Sequence, residues 1–143
     1  MFEKPVNNDV PAPRDWREFL QSIGGSAFVV EVANRASQAI LSVYERPLVE
    51  HSTKEDGSPV SEADLASASV IEEALTITKI PVVCEEGRIP DIEGCSLFWL
   101  VDPLDGTREF LARNGEFSVN IALVAGDAPV LGVIAIPVTG EVF

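Results

Sequence analysis

Positive charge is scarce in this chain: ten Lys and Arg stand against 23 Asp and Glu, for a formal net charge of −13. Nucleic-acid binding in general depends on a basic face that releases counterions from the phosphate backbone, so that class is excluded. Histidine is nearly absent as well. His51, in the polar segment Glu50-His51-Ser52-Thr53, is the single one, and no Gly-x-Ser-x-Gly elbow occurs. A Ser-His-Asp hydrolase is therefore ruled out unless His51 itself serves. Cys84 and Cys95 are the two cysteines, eleven apart with no metal-type spacing. They read as reduced thiols, with Cys84 packed in a core. No apolar run reaches the roughly 20 residues of a membrane helix, since the longest, Ala128 to Val138, is too short. The first residues, Met1 to Asp9, lack the charged and apolar regions of a signal peptide, and a cytoplasmic address is expected.

What the chain does have is apolar content. Hydrophobic residues make up 46% of its 143 residues, which predicts one folded domain whose core needs no staples. Its acidity admits two readings. It confers solubility, or its carboxylates cluster around divalent cations and reverse the local sign.

Residues 1–14 carry three prolines and two adjacent asparagines and read as an extended arm. A short helix over Asp15 to Ile23 ends at Gly24-Gly25, so the arm is taken as 1–25 and the domain as 26–143. Ser26 is then the expected cap of a long helix with Phe28, Val29, Val32, Ala33, Ala36, Ala39, Ile40, Val43 and Tyr44 at helical spacing, closed by Pro47. A second helix runs from Glu62 to Ile77 with Leu65, Ala68, Ile71 and Leu75 on its core face. Strands follow at 81–84, 97–101, 117–124 and 130–136, with Gly126-Asp127-Ala128-Pro129 turning the last two. Pro137-Val138-Thr139-Gly140 turns into Glu141-Val142-Phe143, the start of a hairpin partner. Helices first and strands after predict a layered α+β domain, two long helices packed on one face of a mainly antiparallel sheet. The Gly-, Ser- and Pro-rich loop 54–60 is the segment expected to move. A natural domain seldom ends partway through a strand, so the chain is expected to be the N-terminal part of a longer enzyme.

The most informative stretch is Val101-Asp102-Pro103-Leu104-Asp105-Gly106-Thr107-Arg108-Glu109-Phe110. The apolar run Leu97 to Val101 places Asp102 where a buried strand meets water, and Glu109 to Arg113 reads as a short helix closed by Asn114-Gly115. Two carboxylates at a strand end, followed by free helical N–H groups, offer cation ligands and an anion cradle. That is what metal-assisted phosphoester hydrolysis requires. Ordinary turn and cap chemistry reads the same residues differently. A second strand, Val82-Val83-Cys84, ends in Glu85-Glu86-Gly87. Glu85 either joins Asp102 and Asp105 around a cation or belongs to a solvated acidic turn. Ser61 with Asp64 fits a capping box for the second helix. Asp64 is a structural cap, or it faces the site and holds an attacking water.

In order and interval, these segments resemble the inositol-monophosphatase-like family of lithium-sensitive, magnesium-dependent phosphatases, from about Phe28 to Phe143. Asp105-Gly106-Thr107-Arg108-Glu109-Phe110, with Asn114-Gly115-Glu116-Phe117-Ser118-Val119-Asn120-Ile121-Ala122-Leu123, is most similar to its 3′(2′),5′-bisphosphate nucleotidase branch. Inositol monophosphatases proper tend to carry Asn where this chain has Glu109.

The resemblance implies the N-terminal half of a layered αβαβα sugar-phosphatase fold and two or three Mg²⁺ ions per complete site. Glu85, Asp102, the Leu104 carbonyl and Asp105 would be the metal ligands. Gly106 and Thr107 would present N–H groups to a phosphate. Asp64 and Thr107, with Glu85, would form the catalytic group that directs water at phosphorus without a covalent phosphoenzyme. The implied partner is a small phosphorylated substrate, 3′-phosphoadenosine 5′-phosphate, cleaved to AMP and phosphate in sulfur assimilation. Inositol or fructose phosphates are the alternative, and an inactive cation-binding fragment is the other. The family carries a further metal-binding aspartate in a second domain, beyond the point this sequence reaches, and places the lysine-containing loop near a third, weaker metal. Self-association through an uncovered sheet edge is the remaining expectation.

Overall fold

A computed structural model describes residues 15–143; the extended arm expected over residues 1–14 lies outside the described residues. Asp15 starts the first helix by accepting the Arg17 N–H at 2.9 Å, and α1 spans Trp16–Ser22. The long helix α2 spans Gly25–Tyr44. Ser26, the expected cap, lies inside its first turn. Gly24 holds the cap position at φ 102°, a left-handed conformation that costs glycine little, and so α2 starts earlier. Val29, Val32, Ala33, Ala36, Ile40 and Val43 form its buried stripe.

Two short antiparallel strands, β1 (His51–Thr53) and β2 (Pro59–Ser61), bracket the loop expected over 54–60 and turn it into a hairpin. Both are only three residues long, too short to show the alternation by which a half-buried strand is recognised. Helix α3 spans Glu62–Thr76 and opens on a capping box between Ser61 and Asp64. Its buried face carries Asp64, Ser67, Ala68, Ile71 and Leu75. Leu65, expected on that face, is 53% exposed, because the box rotates Asp64 inward and leaves the next residue about 100° round the helix.

The main sheet has five strands in the order β3 (Val82–Cys84), β4 (Leu97–Asp105), β5 (Ser118–Ala125), β6 (Ala128–Ile136) and β7 (Glu141–Val142). β3 pairs parallel with β4, and every other pair is antiparallel. The expected four-residue turn between the last long strands narrows to Gly126-Asp127. Ala128 pairs with Ala125 and Pro129 with Val124, across a register shift at Leu123/Val124.

α3 lies on β3 and β4, and α2 on β5 and β6, so both long helices cover one sheet face as α+β layering predicts. Trp99 of β4 is fully buried there, and its indole N–H donates to the Thr78 hydroxyl at 3.0 Å. A second aromatic group, Tyr44, Phe110 and Phe117, joins α2 to the segment after β4 with ring centroids 5.1–5.2 Å apart. The opposite sheet face is open and carries Leu100 and Ile134 about half exposed. Among the described residues, no helix is long and apolar enough to cross a membrane.

Trp99→Phe removes both packed volume and the partner of a buried hydroxyl. It should lower unfolding free energy by about 2–3 kcal/mol in urea titrations followed by circular dichroism. An unchanged midpoint would remove Trp99 from the centre of the core.

Candidate functional site

β4 pairs with β5 residue by residue from Leu97 to Asp102, loses register, and resumes at Asp105 opposite Ser118. The strand was expected to stop at Val101. It continues, because Pro103, with no N–H to offer the ladder, is accommodated as a bulge. Inside the bulge the Leu104 N–H donates to Asp102 Oδ1 at 3.2 Å. The Pro103 carbonyl accepts the Ser67 hydroxyl of α3 at 2.6 Å. Asp102 is left half-buried and Asp105 exposed, either side of the buried Leu104.

The parallel neighbour β3 ends beside this bulge, where the Glu85 N–H donates to the Val101 carbonyl at 3.1 Å. Glu85, Asp102 and Asp105 consequently line one cleft of about 300 Å³, with Lys54, Leu104, Gly106 and Thr107. Burial, then the Glu85 and Asp105 charges and a hydrogen bond with Glu85, push the Asp102 carboxyl up to about 7, against the Leu104 N–H, which lowers it. Among the described residues, no three His, Cys, Asp or Glu side chains are gathered tightly enough to enclose a metal ion. The three carboxylates share a cleft without closing into a shell. The donor set is nonetheless all oxygen, which suits Mg²⁺ or Mn²⁺, and the Asp102 shift arises first from burial and then from the Glu85 and Asp105 charges, which a cation would offset.

The Glu85-Glu86 pair is not simply a solvated turn. Glu86 is nearly buried and pairs with the Lys54 ammonium, which also stands 3.5 Å from Glu85 Oε1. Burial pulls the Lys54 pKa down, and the Glu86 and Glu85 carboxylates outweigh it, leaving the pKa above its usual value. The β1–β2 hairpin thus brings a cation to the rim of an anionic cleft. Cys84, just before Glu85, is fully buried, and desolvation raises its thiol to about 11, as a core residue rather than a nucleophile.

Gly106 follows Asp105 at φ 95°, and a Cβ there would lie 2.8 Å from the Glu116 carbonyl oxygen, so no other residue fits without a shift. The short helix α4, Thr107–Leu111, begins at once, two residues before the expected Glu109. The Thr107 hydroxyl donates to Asp64 Oδ1 at 2.7 Å. Asp64 is fully buried, and its Oδ2 accepts the Ser61 N–H at 2.8 Å and the Ser61 hydroxyl at 2.5 Å. Asp64 thus caps α3 and also holds the hydroxyl of Thr107, which lines the cleft. Ser67, Lys54 and Glu86 carried no assignment from sequence. Ser67 was detectable, since a serine three residues after Asp64 falls on the buried stripe of α3.

The raised Asp102 pKa sets a direction for stability in metal-free solution. Below about pH 4 the proton is bound in both states. Between about 4 and 7 the folded chain keeps a proton that the unfolded chain has released, so stability falls as pH rises through that window. Melting curves in chelator should show wild type losing stability relative to Asp102→Asn from pH 4 to 7. Parallel curves would mean that Asp102 ionises as an ordinary carboxylate.

Residues 25–143 match the inositol monophosphatase family. A 3′(2′),5′-bisphosphate nucleotidase CysQ of Salmonella typhimurium is 50% identical over 117 residues, covering 77% of this chain and 47% of the relative. The crystal structure of CysQ from Bacteroides thetaiotaomicron aligns at 42% identity with a TM-score of 0.69, covering 82% of this chain and 44% of that one. The extragenic suppressor protein suhB from Bartonella henselae aligns at 31% identity with a TM-score of 0.76, covering 82% and 47%. The chain spans about half the length of the curated relatives it matches. Fold, motif order and these likenesses agree, and the chain belongs to the inositol monophosphatase family.

Proposed function

We propose that this chain forms the acidic half of the active site of a Mg²⁺-dependent phosphomonoesterase of the 3′(2′),5′-bisphosphate nucleotidase type, with 3′-phosphoadenosine 5′-phosphate as substrate and AMP and phosphate as products. One observation carries the reading. Three carboxylates from two adjacent strands open onto the same cleft as a threonine hydroxyl held by a buried aspartate. The nucleotidase names of relatives at 38–50% identity support the substrate.

Glu85, Asp102, Asp105 and the Leu104 carbonyl would hold Mg²⁺. When bound, the cation neutralises charge on phosphoryl oxygens and acidifies a water. The Thr107 hydroxyl already donates to Asp64, so its oxygen could accept a hydrogen from an attacking water and aim it at phosphorus. As the water's proton passed to Thr107 Oγ1, the threonine's own proton would pass to Asp64 Oδ1. Asp64 is suited to this, being buried and fixed by Ser61. The backbone N–H groups of Gly106 and Thr107 would take oxygens of the phosphate.

Calorimetry separates the metal role from the water role. Wild type should bind Mg²⁺ with a dissociation constant on the order of millimolar, as sparsely liganded oxygen sites do, and Asp105→Asn should lose the heat. Asp64→Asn should keep it. In the protein extended to the length of its relatives, Asp64→Asn should slow phosphate release from 3′-phosphoadenosine 5′-phosphate by about 10². Equal titrations for wild type and Asp105→Asn would refute the metal assignment, and normal turnover in Asp64→Asn would leave it only a capping role.

We infer as well that the chain self-associates through its open sheet edge. Among the described residues β7 has a neighbour on one side only. Unpaired strand edges recruit other strands, and the repulsion of −13 charges is screened beyond about 8 Å at physiological salt. Sedimentation velocity should show dimers or larger species growing with concentration. A monomer throughout the series would refute the inference.

A further inference from the structure

Ser67 is, with Asp64, one of two buried polar residues of α3 whose hydrogen bonds reach across to the site. It is fully buried, and its hydroxyl donates to a carbonyl 36 residues away, that of Pro103. Neither Pro103 nor Leu104 has a ladder partner on β5, so the peptide joining them is not oriented by the sheet. Two other groups hold it. Its carbonyl accepts from Ser67 at 2.6 Å, and its N–H, that of Leu104, donates to Asp102 Oδ1 at 3.2 Å. The two bonds belong to one planar trans unit, whose C=O and N–H point in opposite directions, so the plane cannot turn without disturbing both.

From this geometry we infer that Ser67 is a positioning residue for the cation site, acting through the Pro103–Leu104 peptide on the Asp102 carboxylate and on the Leu104 carbonyl beyond it. The inference rests on the metal reading of Glu85, Asp102 and Asp105 proposed above. α3 grips the motif twice from one face, one turn apart. Asp64 holds Thr107 and Ser67 holds Pro103, so Leu104, Asp105 and Gly106 are suspended between two fixed points. Removing the hydroxyl strands a buried carbonyl, whose lost partner favours a turn of the peptide plane. That turn withdraws the Leu104 N–H from Asp102, and the carboxylate loses the contact that sets its direction. Groups that orient a metal ligand from behind typically contribute a factor of about 10–100 in metal affinity.

The test uses the whole chain titrated with MgCl₂ in a calorimeter, with amide exchange measured in chelator. Ser67→Ala, and Ser67→Cys as a variant of similar shape with a weak donor, should bind Mg²⁺ about tenfold more weakly than wild type. In both, the Leu104 amide should exchange faster without metal. Ser37→Ala is the control. It removes a buried hydroxyl that donates at 2.9 Å to the Ala33 carbonyl within α2, on a residue that does not line the cleft, and should keep wild-type affinity. Wild-type affinity in both Ser67 variants, with Asp105→Asn still losing the heat, overturns the role of Ser67 and leaves the metal site standing. No heat from wild type overturns the metal reading and the role of Ser67 with it. A matching loss of affinity in Ser37→Ala would reduce Ser67 to general stability.

Discussion

Pro103 interrupts the β4–β5 ladder, and the chemistry of the cleft depends on where that interruption falls. A proline in a central strand has no N–H for its neighbour, so the strand must bulge or end. Here it bulges between two aspartates, and the register returns at Asp105 opposite Ser118. Without the bulge, strict alternation would place Asp102 and Leu104 on one face and Asp105 on the other. With it, Leu104 is buried while Asp102 and Asp105 open onto a common cleft. The neighbouring glycine completes the arrangement, since only a left-handed residue without Cβ passes the Glu116 carbonyl into α4.

Electrostatics then decides which parts of the acidic cluster are supported. Three carboxylates converge from β3 and β4, and the hairpin lysine offsets part of that charge. Lys54 is committed chiefly to Glu86, which is nearly buried, and only its longer contact reaches Glu85. Among the described residues no ion pair reaches Asp102, and its burial together with the Glu85 and Asp105 charges raises its affinity for protons. Part of the chain's large negative charge is thus concentrated at one place.

Long periodic elements were legible from sequence, and short or rotated ones were not. The α2 stripe and the β4–β6 meander announce themselves because many apolar residues repeat at a single period. The β1–β2 hairpin, with three residues per strand, offers no period to find. Leu65 was misplaced because apolar spacing alone does not fix the rotation of α3; the buried Ser61–Asp64 box does, and a buried aspartate runs against ordinary hydrophobic patterning. At the cleft, the motif around Asp102 and Asp105 and the end of β3 indicated which carboxylates would share a site. The contribution of Ser67 depended on a bond spanning 36 residues, a tertiary contact that local patterning does not encode.

β3 gives the cleft an unusual mechanical basis. The strands β4 to β7 form a meander whose hairpins close locally and quickly, whereas β3 must find its parallel partner across an intervening loop. It is also an edge strand, only three residues long, with one hydrogen-bonded neighbour among the described residues. Such an element detaches by local opening at far lower cost than unfolding the domain. When it does, Glu85 leaves with it while Asp102 and Asp105 stay on the meander. The acidic site is therefore shared between a short edge strand and a longer meander, and Glu85 keeps its place beside Asp102 only while β3 stays paired with β4.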